Sequence, residues 1–513
     1  LFARYLHVCQ GDLTKEVLAH HDGLRLTQCA HSGIARGADA SQANRASLDM
    51  NSPNSPSTRR SYFAREALLP TGWHKNVLMT VADNGTFIQV TPAATEEPES
   101  ERVGVVLPGM VNLHSHSFQR AMAGLAERRG PLTDSFWTWR EVMYRFVAGL
   151  NPDDIAAIAA QLYVELLLGG FTGVVEFHYL HRDPTGALYQ NPAELALRIL
   201  QAAEQTGIGL TLLASLYQQG GFAAAPLNPR QRRFFLDDDE FATVLTELYR
   251  RRGAGVTIGI APHSLRAVTP EALRHSIALL EQHDRGAPVH LHIAEQPAEV
   301  SACLAWSEKR PIAWLLDNIS VDERFCLIHA THGEPSELKR LAGTHATVGL
   351  CPSTEANLGD GIFAAADFLA TDGRFGIGTD SHVGTCALEE LRLLEYSQRL
   401  SQGRRCVLAP SEGVSTGTHL WQAAARGGAQ AGAQPTGQIL PGARADLVIL
   451  DDAQPSLSGR SGATLLDSAM FGPGRCLVSD VMVAGKWVVR AGRHFAQEAI
   501  ATRFHSTLLL LTT

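Results

Sequence analysis

Val289-His-Leu-His-Ile-Ala-Glu295 and, further on, Phe325-Cys-Leu-Ile-His-Ala-Thr-His332 set the pattern of this chain. Each is a short, largely apolar run that leads into polar side chains of the kind that bind metals. The same texture recurs at Met110–Leu113, Gly173–Phe177, Gly209–Ser215, Val256–Ala261, Ala346–Leu350 and Phe375–Gly378. A short apolar run without alternation reads as a strand buried on both faces, the habit of parallel sheets. Amphipathic stretches separate these runs, among them Asp153–Leu168, Pro192–Thr206, Pro270–Gln282 and Ala387–Ser401. Asn151-Pro152 and Thr269-Pro270 each set a capping side chain before a proline, which marks a helix start. Eight strands alternating with helices predict an α/β fold, a (β/α)8 barrel of the TIM type. A doubly wound open sheet is the alternative, and the strand count favours the barrel.

The 513 residues exceed what this barrel needs and leave room for a smaller second domain. Val77–Val81 and Phe87–Val90 flank Asn84-Gly85, a pair that tolerates positive φ and signals a hairpin. Ala445–Leu450 and Val481–Val489, with a turn at Ala484-Gly485, repeat that texture at the other end. A small β-sandwich assembled from both flanks is therefore expected. The chain divides into 1–60, a flexible extension; 61–107, the first part of the sandwich; 108–434, the barrel; 435–497, the second part; and 498–513, a tail. The extension is inferred from Ala30–Arg60, which is rich in Ser, Ala, Asn and Gly and holds neither hydrophobic period. It lacks the basic region and apolar block of a secretory signal, and Asp12, Glu16, Asp22 and Asp39 speak against a transit peptide. No uncharged apolar run is long enough to span a membrane, and a cytoplasmic location is expected. Lys and Arg number 44 against 52 Asp and Glu, and the net charge of −8 disfavours nucleic acid as a partner. Eight scattered cysteines without a C-x-x-C pair make a poor disulfide framework and a poor thiolate zinc site. With 21 histidines, any bound metal would be held by nitrogen and oxygen.

Polar groups gather at four strand ends. The first strand ends in His114-Ser115-His116, the fifth carries His290 and His292 before Glu295, the sixth ends in His329, and the eighth runs into Asp380 and His382. In a barrel these converge on the C-terminal face, where catalytic groups sit. Side chains at i and i+2 of a strand point the same way, so His114 and His116 can grip one cation. Imidazole with carboxylate suits Zn²⁺ and other first-row divalent metals. A lone His-x-His arises by chance, whereas four strand ends in barrel register are harder to dismiss. H-E-x-x-H, P-C-x-x-C and a phosphate-binding P-loop are absent.

Pro108-Gly-Met-Val-Asn-Leu-His-Ser-His116, His292-x-x-Glu295, His329, Asp380 and Leu440-Pro-Gly-Ala-Arg-Ala-Asp-Leu-Val448 together resemble the amidohydrolase superfamily in its mononuclear deaminase branch. The resemblance covers residues 62–497. It implies one divalent metal ion, with Zn²⁺ favoured, on His114, His116, His292 and Asp380. His290 and His292 share a strand face, so spacing leaves both open, and the family register selects His292. The lysine that binuclear members carbamylate has no candidate in Thr257–His263, so a single metal is expected. Asn112–Gly124 and Cys351–Gly361 resemble the members that hydrolyse a linear amidine, converting N-formimino-L-glutamate and water to N-formyl-L-glutamate and ammonia in histidine degradation. A homodimer is also implied.

Attack on a stable amidine needs hydroxide at neutral pH, which a bound Zn²⁺ makes accessible by lowering the pKa of water to about 7. Asp380 is expected to take the water proton, His329 to stabilise the tetrahedral species and Glu295 to carry a proton to the departing nitrogen. A dicarboxylate substrate calls for arginines. Arg140 and Arg266 are the candidates, with Gln119 and Tyr179 as hydrogen-bonding groups, and the resemblance supports all four. His263 and His178 lie near the barrel mouth, where site lining and a core role both stay open and core is slightly favoured. His332 and His382 read as supporting or bystander groups, and Cys351 as a buried thiol. The rival readings are a deaminase or chlorohydrolase acting on a guanine-like or triazine-like heterocycle, and a non-catalytic barrel scaffold. Intact ligands and an intact Glu295 speak against the scaffold.

Overall fold

The computed structural model describes residues 59–129, 136–472 and 475–512. The expected flexible extension lies outside the described residues apart from its last two, and Arg60 already opens a strand. Strands are numbered here in chain order. Before the barrel come β1 (Arg60–Leu69), β2 (Gly72–Val81), β3 (Phe87–Thr91) and β4 (Glu101–Pro108). The barrel strands are β5 (Met110–Ser115), β6 (Phe171–His178), β7 (Gly209–Leu216), β8 (Thr257–Pro262), β9 (Val289–Ile293), β10 (Phe325–His329), β11 (Thr347–Leu350) and β12 (Arg374–Ile377). After it come β13 (Leu447–Leu450), β14 (Val478–Val483), β15 (Lys486–Arg490) and β16 (Arg493–His494).

β5 to β12 pair in chain order, every neighbour parallel. The ends of that sheet meet: Ser115 bridges Asp380 in parallel, and the His114 carbonyl accepts the Thr379 and Asp380 N–H groups at 3.2 and 3.0 Å. Closure produces the expected eight-stranded barrel. Both faces of these strands are buried, one inside the barrel and one under helices, which is why their sequences do not alternate. Asn151 accepts the Asp153 and Asp154 N–H groups while Asp154 accepts that of Asn151, so the helix Pro152–Leu168 starts where its cap foretold. The helix expected from Pro192 starts at Glu194 instead. Asn191 Oδ1 takes the Ala193 N–H at 3.0 Å and holds that stretch in a turn.

The flanks form a second sheet, ordered β16-β15-β14-β13-β4-β1-β2-β3, so strands from both ends of the chain lie in one layer. Its two hairpins abut. Ala484 and Gly485 both adopt positive φ, and a Cβ on Gly85, itself at φ 77°, would collide with the Ala484 carbonyl. The expected tail is a helix, Gln497–Thr512. Ile500, Phe504, Leu508 and Leu511 recur at helical spacing and pack on the core, while Leu510 faces out.

A hydrogen-bond network around the Arg444–Asp446 ion pair links this sheet to the barrel. The Arg444 guanidinium grips Asp446, which also accepts from Thr436 Oγ1 at 2.9 Å and the Ala484 N–H at 2.8 Å. Arg444 reaches Gln434, which in turn donates to Thr211 on β7. Asp446→Ala strands the Arg444 cation and several donors, so it should cost about 3–5 kcal/mol, read as a lower unfolding midpoint in denaturant. A loss under about 1 kcal/mol would deny the pair this role.

Candidate metal centre and active site

Strand alternation sends the His114 and His116 side chains to one side of β5, and β9 delivers His292 beside them. His292 Nε2 lies 3.1 Å from His114 Nε2 and 3.3 Å from His116 Nε2. Asp380 Oδ1 stands 3.5 Å from the Nε2 atoms of both His114 and His116. A cation with bonds of about 2.0–2.1 Å separates tetrahedral ligand atoms by about 3.4 Å, so the three histidine atoms fit one coordination shell, with Asp380 Oδ1 at the same spacing from two of them. The tautomers agree. His116 Nδ1 donates to the Phe177 carbonyl at 2.9 Å and His292 Nδ1 to the His263 carbonyl at 3.0 Å, which turns both Nε2 lone pairs inward. Facing lone pairs repel one another, and a shared cation converts that repulsion into binding. Burial also pushes the pKa values of all three histidines down, keeping the rings neutral as ligands must be. His290 is not part of this cluster: its Nε2 bonds the Ala431 carbonyl at 2.8 Å.

The backbone here is strained. Ala294, His329, Ala330, Asp380 and His382 all have positive φ without being glycine. Each costs on the order of 1–3 kcal/mol and persists only under surrounding restraint. Bonds from Ala330 N–H to Ile293, from His332 N–H to Ala294 and from Asp380 N–H to His114 supply that restraint.

His329 stands among carboxylates. Its Nδ1 is 3.2 Å from Glu355 Oε1, and its Nε2 is 3.8 Å from Glu295 Oε1 and 3.7 Å from Asp380 Oδ2. Burial by itself would lower its pKa, but Glu295, Glu355 and Asp380 prevail and raise it to about 10. Glu295 is 4% exposed, and burial pushes its carboxyl up to about 7, against the opposing pull of His329 and Arg266. Glu299, one helical turn later, accepts the Ala294 and Glu295 N–H groups at 3.2 Å each and so fixes the strand end that carries Glu295.

Gln119, Arg140, Tyr179 and Arg266 border the same pocket as His116, His292, Glu295, His329 and Asp380. Every site residue expected from sequence is thus in the histidine cluster or the pocket beside it. Gln119 Nε2 donates to the Tyr179 hydroxyl at 3.0 Å, which leaves its Oε1 without a described partner. Arg266 Nε likewise has no hydrogen-bond partner and lies 4.0 Å from Glu299. His263, which the sequence leaves open between site lining and a core role, lines the pocket and stacks on His292 with ring centroids 4.7 Å apart. His178 is buried against His181 outside it. His332 bonds the Asp360 carbonyl and His382 the Thr379 hydroxyl, and Cys351 is buried with its thiol pKa raised. Sequence reading missed Glu355, Glu299, Tyr144 and Tyr217. Only Glu299 left a signal, an acid at i+4 from Glu295. A larger cavity, about 1260 Å³, is bordered by Arg374 and Phe375 at the opposite end of β12 and touches none of these residues.

His181 offers a test of burial. Its Nε2 bonds the Ser215 carbonyl, and burial lowers its pKa to about 4. The unfolded chain takes up this proton near pH 6.5 and the folded chain does not. The stability contribution is therefore whole above pH 6.5 and fades as pH falls toward 4, by about 1.4 kcal/mol per unit. Unfolding of wild type and His181→Gln from pH 7 to 4.5 should show wild type losing ground at that slope. A pH-independent difference would refute it.

Known proteins share this fold. The chain is 51% identical over 447 residues, 87% of its length and 98% of the relative's, to formimidoylglutamate deiminase from Pseudomonas aeruginosa. The crystal structure of an amidohydrolase from Brucella melitensis superposes with a TM-score of 0.83 at 47% identity, covering 88% of this chain and all of that one. Atrazine chlorohydrolase from Arthrobacter aurescens TC1, solved with zinc, shares the fold at a TM-score of 0.75 and 20% identity, over 87% of this chain and all of that one. The amidohydrolase family model matches residues 105–488, flank strand through barrel to flank strand, and the chain belongs to the amidohydrolase family.

Proposed function

We propose that this chain is a formimidoylglutamate deiminase: it hydrolyses N-formimino-L-glutamate to N-formyl-L-glutamate and ammonia, in the breakdown of histidine. The observation that carries the reading is the pair of guanidiniums, Arg140 and Arg266, in the pocket that also holds Glu295 and His329, in a protein of net charge −8. Two carboxylates on the substrate match two arginines, whereas a flat heterocycle would want stacking and amide donors. The identity to the Pseudomonas aeruginosa deiminase supports the same substrate.

His114, His116, His292 and Asp380 would hold one divalent metal, for which we propose Zn²⁺. Bound there, it would supply Lewis acidity that makes hydroxide available at neutral pH. The chain's own groups do the rest. Water oxygen adds to the formimino carbon, and one water proton passes to the imine nitrogen. The second proton follows when the carbon–nitrogen bond breaks, so both end on ammonia and the oxygen stays as formyl. Asp380 takes the water proton, and Glu295, with its pKa raised to about 7, is poised to carry a proton to the departing nitrogen. His329 Nε2 has no hydrogen-bond partner among the described residues, and its proton is available to the oxygen of the tetrahedral species. Arg140, Arg266, Gln119 and Tyr179 hold the carboxylates and the amidine in place.

No helix among the described residues is long and apolar enough to cross a membrane. The reading extends to a cytoplasmic homodimer, which sedimentation of the purified protein and cell fractionation would test. For the substrate, ammonia release should be followed with formiminoglutamate and with guanine, and chloride release with a chlorotriazine. Formiminoglutamate should be preferred by at least about 100-fold, since a site built for charged groups rejects substrates lacking them. Turnover of either heterocycle with none of formiminoglutamate would overturn the reading.

A further inference from the structure

Tyr217 directly follows β7, lines the active-site pocket and is 2% exposed. Its oxygen accepts two N–H groups, from Arg140 Nη2 at 3.1 Å and from Gln231 Nε2 at 2.8 Å. The orientation of the Gln231 amide is set at its other end, where Oε1 takes the Asn228 N–H at 2.8 Å. With both lone pairs engaged, the Tyr217 hydroxyl has only its own proton to offer. No described residue accepts it.

Tyr144 lines the same pocket from the helix Phe136–Val147, which also carries Arg140. Its hydroxyl is buried without a hydrogen-bond partner, and burial pushes its pKa up to about 12, so it stays a protonated donor. The Arg140 guanidinium lies over the Tyr144 ring, 5.1 Å from its centroid, between one phenol's face and the other's oxygen. Two phenol protons without acceptors inside a protein are uncommon, and such orphans call for an explanation. A ligand that brings its own acceptors provides one.

We propose that Tyr144 and Tyr217 donate hydrogen bonds to one carboxylate of the substrate beside Arg140, with Gln231 positioning the Tyr217 hydroxyl, and that this donor cradle selects the acid over its amide. The proposal rests on the deiminase reading and deepens it. A carboxylate presents only acceptors, whereas a carboxamide that turns its N–H₂ toward Tyr217 meets a hydroxyl that can only donate. The cradle therefore rejects a monoamide even though shape and size are matched.

The test uses the metal-loaded full chain. Calorimetric binding of N-formyl-L-glutamate and of its two monoamides is measured for wild type, Tyr144→Phe and Tyr217→Phe, alongside kinetics with formiminoglutamate. Each variant should raise the Kd of the diacid and the KM about 10–100-fold, with kcat within about threefold and metal content unchanged. Wild type should bind one monoamide far more weakly than the diacid, and the variants should close that gap. Gln231→Leu, which frees a Tyr217 lone pair, should narrow the same ratio. Unchanged diacid affinity in both tyrosine variants would overturn the proposal, as would equal losses for diacid and monoamide. A wild type that prefers the diacid through these tyrosines but releases no ammonia from formiminoglutamate would break the deiminase reading and support the cradle, because the cradle is read by binding.

Discussion

Glu295→Gln should lower kcat on formiminoglutamate about 10²–10⁴-fold, the span expected when a general acid–base group is lost. The substitution keeps the shape of a side chain that is 4% exposed and leaves its backbone bond to Glu299 intact. It removes the ability to carry a proton, together with one of the carboxylate charges that raise the His329 pKa. Metal content should stay at the wild-type level, because the cluster of His114, His116, His292 and Asp380 is untouched. KM should move little, because the carboxylates are held by other residues. Stability should hold or rise, since a neutral amide avoids the cost of burying a carboxylate, which outweighs the attraction of His329 and Arg266 at this position. Steady-state kinetics, metal analysis and thermal unfolding on one preparation check all three. A kcat within about threefold of wild type would take the proton-transfer role away from Glu295.

Arg266→Met is the second large effect. The side chain is 8% exposed, and its Nε has no hydrogen-bond partner among the described residues. An unmatched guanidinium N–H in a pocket is an offer to a ligand anion. Losing one partner of a buried charge-assisted pair costs about 2–5 kcal/mol, so kcat/KM should fall about 30- to 3000-fold, most of it in KM. Arg266→Lys should recover part of this, because it restores the charge but not the planar fork. Kinetics with formiminoglutamate and with a formimino amine that lacks carboxylates separate binding from damage. The penalty should vanish for the second substrate, and an equal penalty on both would assign Arg266 to the fold.

The barrel could be read from the chain because its strands are buried on both faces and so stand out as unbroken apolar runs. Four of them lead into His, Asp or Glu, and barrel topology brings such ends together whatever lies between them. That is why the strand ends carrying His114 and His116, His290 and His292, His329 and Asp380 stand out in the sequence, while the choice of His292 over His290 rests on the family register. The groups that escaped reach the site through tertiary contacts. Glu355 sits on the helix after β11 and meets His329 only because β10 and β11 are neighbours. Tyr144 and Tyr217 belong to a helix and a loop whose meeting has no local signature. A single histidine after an apolar strand leaves His263 open between core and site, and its stacking on His292 depends on where β8 and β9 end. The C-terminal helix was read as a tail because the apolar spacing of Ile500, Phe504, Leu508 and Leu511 means little without the surface it covers.

The central claim is hydrolytic release of ammonia from a formimino dicarboxylate at a metal site built by His114, His116, His292 and Asp380. Purified protein should be stripped with chelator, assayed with N-formimino-L-glutamate, reloaded with Zn²⁺ and assayed again, with ammonia and N-formyl-L-glutamate measured together. The account predicts no turnover after stripping, and recovery on reloading with one ammonia for each formylglutamate. Full activity in metal-free protein, or ammonia released without formylglutamate, would contradict it.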